Sequence, residues 1–533
     1  MKPATTTPWM GRGFWNSTQK YPDHPAVEIN GVSLSYLELF SRAKKIAHLL
    51  TREVPSPSQP LTAVFAARSA SAFAGILGTL FRGHGYVPLN PKFPAERTQH
   101  MLKASGCAAI IVDRNAQPLL KETLNGMDGL VLIFPEHDDT DDLQAEYPTH
   151  RVFTSTDLAE PEHWVQPETR ADDIAYLLFT SGSTGNPKGV MISHANIDHF
   201  LNAMMYRYQF DQHDRFSHMF DLVFDLSVFD LFMAWEAGGC VCCPQDSDLL
   251  LPADYIQTSR LSVWFSVPSV AVLSLRLRQL EPGRFDKLKW NLFCGEALPS
   301  DAASAWATAA SNGVLENLYG PTELTLACAL YRWNGSASLE ESHNGIVPIG
   351  SPYPGMQALI SADDGFTPAS AGDEGELLMA GPQVALGYWN DPEKTKAAFQ
   401  PHPETGVIYY RTGDLVRRSA HDKHMEYVGR VDNQIKIHGM RVELGEIEAT
   451  IKALTNAPRV VAVGWPADAN GISGVTCFVE GDVKDSAQIL QSAKSRLPAY
   501  MVPKKLISVA DFPLNSNGKI DRKALLASLR RKD

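Results

Sequence analysis

The stretch LLFTSGSTGNPKGV (residues 177–190) is an apolar run that gives way to hydroxyls and glycines and then to a lysine. That order is expected of a buried strand feeding a loop that holds phosphate. Thr180, Ser181, Ser183 and Thr184 offer hydroxyls. Gly182, Gly185 and Gly189 let backbone N–H groups come close to an anion, and Lys188 adds positive charge. The loop is not of the Walker type, which needs Gly-Lys-Ser/Thr, because Lys188 follows Pro187 and precedes Gly189. A Gly/Ser/Thr run alone is equally an ordinary surface turn, so its company matters.

Outward from the loop, AVFAAR, AAIIVD, GLVLIF and AYLLF read as buried strands, with helical stretches such as SYLELFSRAKKIAHLL between them. The alternation predicts an α/β fold with largely parallel sheets. DPEKTKAAF carries a helix N-cap, Asp391, and Pro392 at the first helical position. Near residue 431 the character changes. NQIKIHGMRVELG alternates around Gly439 as a hairpin, and helices and strands follow in α+β style. The expected division is a large domain over 1–431, of packed mixed and parallel sheets and helices, and a small α+β domain over 432–533.

The 533 residues include 44% hydrophobic and 20% charged, an ordinary globular composition. The net charge of −12 and the lack of a basic tract argue against a nucleic-acid partner. The N-terminus has no apolar core of signal-peptide length and no run is long enough to span a membrane. Seven cysteines, odd in number and mostly in apolar surroundings, predict a reduced, cytoplasmic protein. The run CVCC lacks a second pair at metal-ligand spacing and reads as a buried strand.

Four further pieces accompany the loop. NLYGPTE supplies Tyr319, a flat face for a base; Thr322, a donor to phosphate; and Glu323, a carboxylate suited to Mg2+. YRTGDLVRR supplies Asp414, an acceptor for ribose hydroxyls. GRVDNQIKIHGMRVELGEIE holds Arg430, Asp432, Lys436 and Arg441, and NSNGKIDRKAL holds Lys519. Each alone has a plainer reading as a turn, an exposed hairpin or a solvated lysine.

Together, in this order and spacing, the pieces resemble the adenylate-forming superfamily, from FWNSTQKYPDHPAV almost to the end of the chain. The sequence is most similar to the amino-acid-activating adenylation domains of nonribosomal peptide synthesis; acyl-CoA synthetases and luciferases share the superfamily. The resemblance implies a large N-terminal domain with a mobile C-terminal lid, use of ATP and Mg2+, and no prosthetic group on the chain. It assigns Thr180, Ser181, Gly182, Ser183, Thr184, Gly185 and Lys188 to the β- and γ-phosphates. Gly295, Glu296, Ala297 and Tyr319 fall to adenine, and Asp414 and Arg430 to ribose. Thr322 is assigned to the α-phosphate, Glu323 to Mg2+, and Lys519 to the bridge between substrate carboxylate, phosphate and ribose. Asp432 matches the hinge. One departure is Asn90, where many relatives have Asp.

In FDLVFDLSVFDLF, Asp221, Asp225 and Asp230 stand among apolar residues, a costly setting for an unpaired carboxylate. By motif match Asp225 binds the α-ammonium of an amino acid, whereas Asp230 reads as a helix N-terminal charge. The matched pocket positions are Leu226, Phe229, Phe265, Leu292, Cys294, Leu318, Leu326 and Ala327. None is charged, so the expected substrate has a small apolar side chain. The lining resembles that of the L-prolyl-AMP ligases, which implies L-proline; another small aliphatic amino acid is the alternative, and an acid–CoA ligase the rival activity. No GGxS-type attachment site and no HHxxxDG signature occurs in the chain. A free-standing ligase is therefore expected, with the acceptor thiol supplied in trans by a phosphopantetheinylated carrier protein and no membrane or nucleic-acid partner.

Overall fold

The computed structural model describes residues 7–54, 61–182, 186–363, 365–418, 424–468, 471–514 and 520–530. The chain divides into two compact units. The first comprises Met1–Pro91, Leu102–Leu178 and Gly189–Val431; the second Lys92–Met101, Phe179–Lys188 and Asp432–Asp533.

The first unit is α/β, as expected. Its nine-stranded sheet runs parallel from Val314–Tyr319 through Trp290–Phe293, Val263–Ser266, Arg215–Ser217 and Cys240–Cys243 to Pro25–Ile29, with antiparallel strands only toward its two edges. The CVCC run is one of these buried strands, and all seven cysteines are buried and free of disulfides. A second sheet, eight-stranded, carries Leu61–Phe65, Ala109–Val112, Val131–Phe134 and Ile174–Thr180, the runs read as strands from their apolarity, and also Gly85–Leu89. A third, five-stranded and antiparallel, contains Glu374–Ala380, Ile408–Arg418 and Met425–Arg430.

Local chemistry explains the helix boundaries. Tyr36–Glu53 opens with a capping box in which Ser35 accepts from the Glu38 N–H and the Glu38 carboxylate takes the Ser35 N–H. Pro392–Ala398 begins with Asp391 accepting from the Lys394 N–H. Leu226–Ala237 is buried at nearly every position, so it has no polar stripe.

In the second unit the strands Gln434–Ile437 and Met440–Glu443 form an antiparallel hairpin. Its two-residue turn has φ of +49° at His438 and +78° at Gly439, the positive values a tight primed turn demands. The helix Leu444–Thr455 follows, and a three-stranded sheet of Val460–Gly464, Val475–Glu480 and Lys505–Val509 packs its own apolar core. No helix among the described residues is long and apolar enough to cross a membrane.

Candidate active site

Three sequence motifs of the first unit converge on one carboxylate. Tyr319, the last residue of its strand, donates its hydroxyl to Asp414 Oδ2 at 2.6 Å, and Arg430 Nη1 donates to Asp414 Oδ1 at 2.5 Å. The Asp414 N–H is held by Thr412 Oγ1 at 3.0 Å, and Arg430 Nη2 also reaches the Thr412 carbonyl at 3.2 Å. Burial and the neighbouring Asp414 push the Tyr319 hydroxyl well above its ordinary pKa, so it stays a donor. Gly295, Glu296 and Ala297 follow the strand Trp290–Phe293 at its carboxyl end, where open parallel sheets bind ligands. Gly295 has φ of +96°, a conformation suited to glycine, and Glu296 Oε2 accepts from the Ser269 N–H at 2.8 Å.

Thr322 and Glu323 lie in a short 3-10 turn immediately after Tyr319, Gly320 and Pro321. Glu323 is fully buried and accepts from the Tyr388 hydroxyl at 2.9 Å. A single hard carboxylate fits Mg2+, which commonly takes one or two protein carboxylates and fills its remaining positions with phosphate oxygens and water. Beyond the turn, Thr325 and Leu326 both adopt positive φ, +57° and +73°, a strained state for residues with a Cβ. Gln383 holds that strained loop. Its side-chain amide donates to the Leu324 carbonyl at 3.2 Å and the Ala327 carbonyl at 2.7 Å, and its backbone carbonyl accepts from Thr325 Oγ1 at 2.7 Å.

Asp225 is half-buried and directly precedes the helix Leu226–Ala237. Its charge helps to raise the pKa of two buried tyrosines, Tyr86 and Tyr176, after the larger effect of their burial. Leu226, Phe229, Phe265, Leu292, Cys294, Leu318, Leu326 and Ala327 all belong to one buried apolar cluster. Phe229 and Phe265 pack with ring centroids 4.7 Å apart, and Phe265 faces Leu292 across the sheet.

Asp230 is not a helix N-terminal charge. The helix starts at Leu226, which puts Asp230 beyond the first turn and almost fully buried, with His218 Nδ1 at 3.3 Å. Asp221 is held by Arg68 at 3.2 Å and Asn90 at 3.1 Å.

In the second unit, the phosphate-loop residues lie against the hairpin and the helix after it. Ser181 Oγ donates to the Arg441 carbonyl at 2.9 Å and accepts from the Glu443 N–H at 3.2 Å, and the Gly182 N–H reaches Glu446 Oε2 at 3.4 Å. A Cβ on Gly182 would come within 2.0 Å of the Asn186 carbonyl oxygen, so the position demands glycine. Thr180 Oγ1 is buried with no partner among the described residues, an orphan of the kind a phosphate oxygen satisfies. Lys188 opens the next strand, Lys188–Ser193. Asp432 Oδ1 accepts from the Gln434 N–H at 3.0 Å. Ser183, Thr184, Gly185 and Lys519 lie outside the described residues.

The motif-based assignment did not single out Gln383 or Arg68. Nothing in their local sequence marks them, because their partners lie far away in the chain. One His/Cys/Asp/Glu cluster was found among the described residues, Glu28 with Cys240 and Cys242, and its Glu28 pairs with Arg215 at 2.8 Å.

The family described as AMP-binding enzyme matches residues 14–389. The dimodular nonribosomal peptide synthase of Bacillus subtilis (strain 168) is 32% identical over 514 residues, which is 95% of this chain and 20% of that protein. The chain thus spans about a fifth of that relative. The Vibrio cholerae adenylation domain AlmE, solved with glycyl-adenosine-5'-phosphate, matches with a TM-score of 0.88 and 29% identity, covering 100% of this chain and 99% of that one. Holo-PA1221, an NRPS protein containing adenylation and PCP domains, matches with a TM-score of 0.80 and 25% identity, covering 98% and 84%. The chain belongs to the AMP-binding enzymes, the adenylate-forming superfamily that includes the adenylation modules of nonribosomal peptide synthases.

Proposed function

We propose that this chain activates a small apolar amino acid, L-proline, as its adenylate and passes it to the phosphopantetheine thiol of a carrier protein in trans. The observation that carries this is that the eight matched pocket positions are all apolar and buried, while Asp225, next to Leu226 in the chain, is a carboxylate. A substrate ammonium needs a charged partner away from water, and a substrate side chain with polar groups would be left unsatisfied against that lining.

In the first half-reaction a carboxylate oxygen of the amino acid attacks the α-phosphorus of ATP. The bond from that phosphorus to the bridging oxygen breaks, and pyrophosphate leaves. Asp225 holds the ammonium so that the carboxylate faces phosphorus. Tyr319, with Gly295, Glu296 and Ala297, holds the base, and Asp414 and Arg430 hold the ribose. Thr180, Ser181, Gly182 and Lys188, with Ser183, Thr184 and Gly185, are assigned to the leaving phosphates, and Thr322 and Lys519 to the reacting centre. Glu323 would hold Mg2+, which when bound would supply neutralising charge on the phosphates. Fixed donors aimed at charge that builds on the leaving group lower the barrier most. In the second half-reaction the thiol attacks the acyl carbon and AMP leaves.

Support for an amino acid substrate comes from the relatives, and for a carrier acceptor from PA1221, whose chain holds both kinds of domain. A second reading, glycine, has its own support in the glycyl-adenylate bound by AlmE. Both are tested by ATP–pyrophosphate exchange over the proteinogenic amino acids. L-Proline giving the highest rate supports the proposal, and glycine giving it favours the second reading. A charged or amide amino acid giving it overturns both. Thioester formation on a holo carrier protein, compared with free CoA, decides the acceptor.

A further inference from the structure

Asp225 is the last residue of a segment, 218–225, that holds a second carboxylate four positions earlier. Asp221 has a cation beside it: Arg68 Nη2 lies 3.2 Å from its Oδ1, and Asn90 Nδ2 donates to its Oδ2 at 3.1 Å. The same Arg68 Nη2 donates to the Met219 carbonyl at 2.9 Å, so one guanidinium holds both backbone and side chain of the segment. Buried Asp230 of the helix lies 3.3 Å from His218, the first residue of the same segment. His218 in turn packs edge-on against Phe73, with ring centroids 5.5 Å apart. Arg68 follows the strand Leu61–Phe65 and Asn90 follows Gly85–Leu89, which are neighbours in the eight-stranded sheet. Two adjacent strand ends therefore grip the segment that ends in Asp225.

We propose that Arg68 and Asn90 are positioning residues for amino acid recognition, acting through Asp221. They fix the segment that presents Asp225, and they neutralise Asp221 so that it does not compete for the substrate ammonium. This rests on Asp225 being the ammonium partner, as proposed above. Asn suits position 90 because its amide donates to Asp221, whereas an Asp there would set a second carboxylate beside it.

The test is amino-acid-dependent pyrophosphate exchange on the full chain, with L-proline and ATP varied separately. Arg68→Met should raise the KM for the amino acid by about tenfold or more, the scale of one lost charge contact. The KM for ATP and kcat should stay within about threefold, and Arg68→Lys should fall between. Because Arg68 acts through Asp221, the Arg68→Met/Asp221→Leu double variant should lose clearly less than the product of the single losses. A folded Arg68→Met with unchanged amino acid KM, equal rises in both KM values, or multiplicative losses in the cycle would each overturn the proposal. Should Arg68→Met fail to fold, Asn90→Leu carries the test, with a selective rise in amino acid KM expected and an unchanged KM overturning it. Wild-type protein that exchanges with no amino acid would remove the substrate assignment itself, and this inference with it, before any variant is compared.

Discussion

Tyr319 and Asp414 are separated by 95 residues in sequence and joined by a 2.6 Å hydrogen bond. The aromatic face assigned to the base and the carboxylate assigned to the ribose are thus one buried unit, completed by Arg430. Tyr319→Phe keeps the ring and removes the donor. Asp414 retains Arg430, so the fold should survive, with a loss of about 1.5–3 kcal/mol, the range for hydrogen bonds to charged groups. The KM for ATP should rise while that for the amino acid stays. Equal change in both would contradict the assignment of this unit to the nucleotide.

Leu226 stands beside Asp225 in the apolar cluster. Leu226→Gly should enlarge the space for the substrate side chain and shift preference from proline toward longer aliphatic amino acids. Glycine in the first helical turn should also lower stability, by about 1 kcal/mol beyond the lost packing. Ratios of kcat/KM for proline, valine and leucine check this, and an unchanged ranking would count against Leu226 as part of the pocket.

Arg97 and Glu446 form an ion pair in the second unit, with side chains 6% and 2% exposed. Burial raises the pKa of Glu446, and Arg97 opposes that rise. Removing either partner leaves a buried charge alone, so Arg97→Met or Glu446→Met should each cost about 3–5 kcal/mol. The double variant should cost well below the sum. Denaturant unfolding of the four proteins measures the coupling, and additive losses would show that the pair does not act as one.

His84 and His194 are both held down to about 4, chiefly by burial. Unfolded histidine titrates near about 6.5, so between these values the unfolded chain binds more protons than the folded one. Stability should therefore fall as pH drops through that window, by up to about 3 kcal/mol per histidine. His194→Asn should show a smaller loss between about pH 7.5 and about pH 5 than wild type. Identical pH dependence would contradict the burial effect.

The parallel sheets, and the motif residues Tyr319, Asp414 and Arg430 that meet in the first unit, were legible because each signal is local. Apolar runs, turn residues and fixed spacings survive without knowledge of the fold. Asp230 was misread because the helix that carries it is apolar on all sides, so periodicity gives no start point. Its neighbour Asp221 hid for another reason: its partners Arg68 and Asn90 lie more than a hundred residues away. The same applies to Gln383, which steadies the strained Thr325–Leu326 pair from a different strand ending. Nor does composition show that residues 179–188 group with 432–533 rather than with the strand that leads into them.

The most direct test of the account is pyrophosphate exchange by Asp225→Ala beside wild type, with L-proline. The substrate ammonium would lose its charged partner in an apolar setting, a cost of about 2–5 kcal/mol, or roughly thirtyfold to several thousandfold in kcat/KM. ATP binding, followed separately, should persist, since Tyr319, Asp414 and Arg430 are untouched. Exchange by the variant within about threefold of wild type, less than the 1.4 kcal/mol of a decade, would show that the ammonium is read elsewhere and contradict the account.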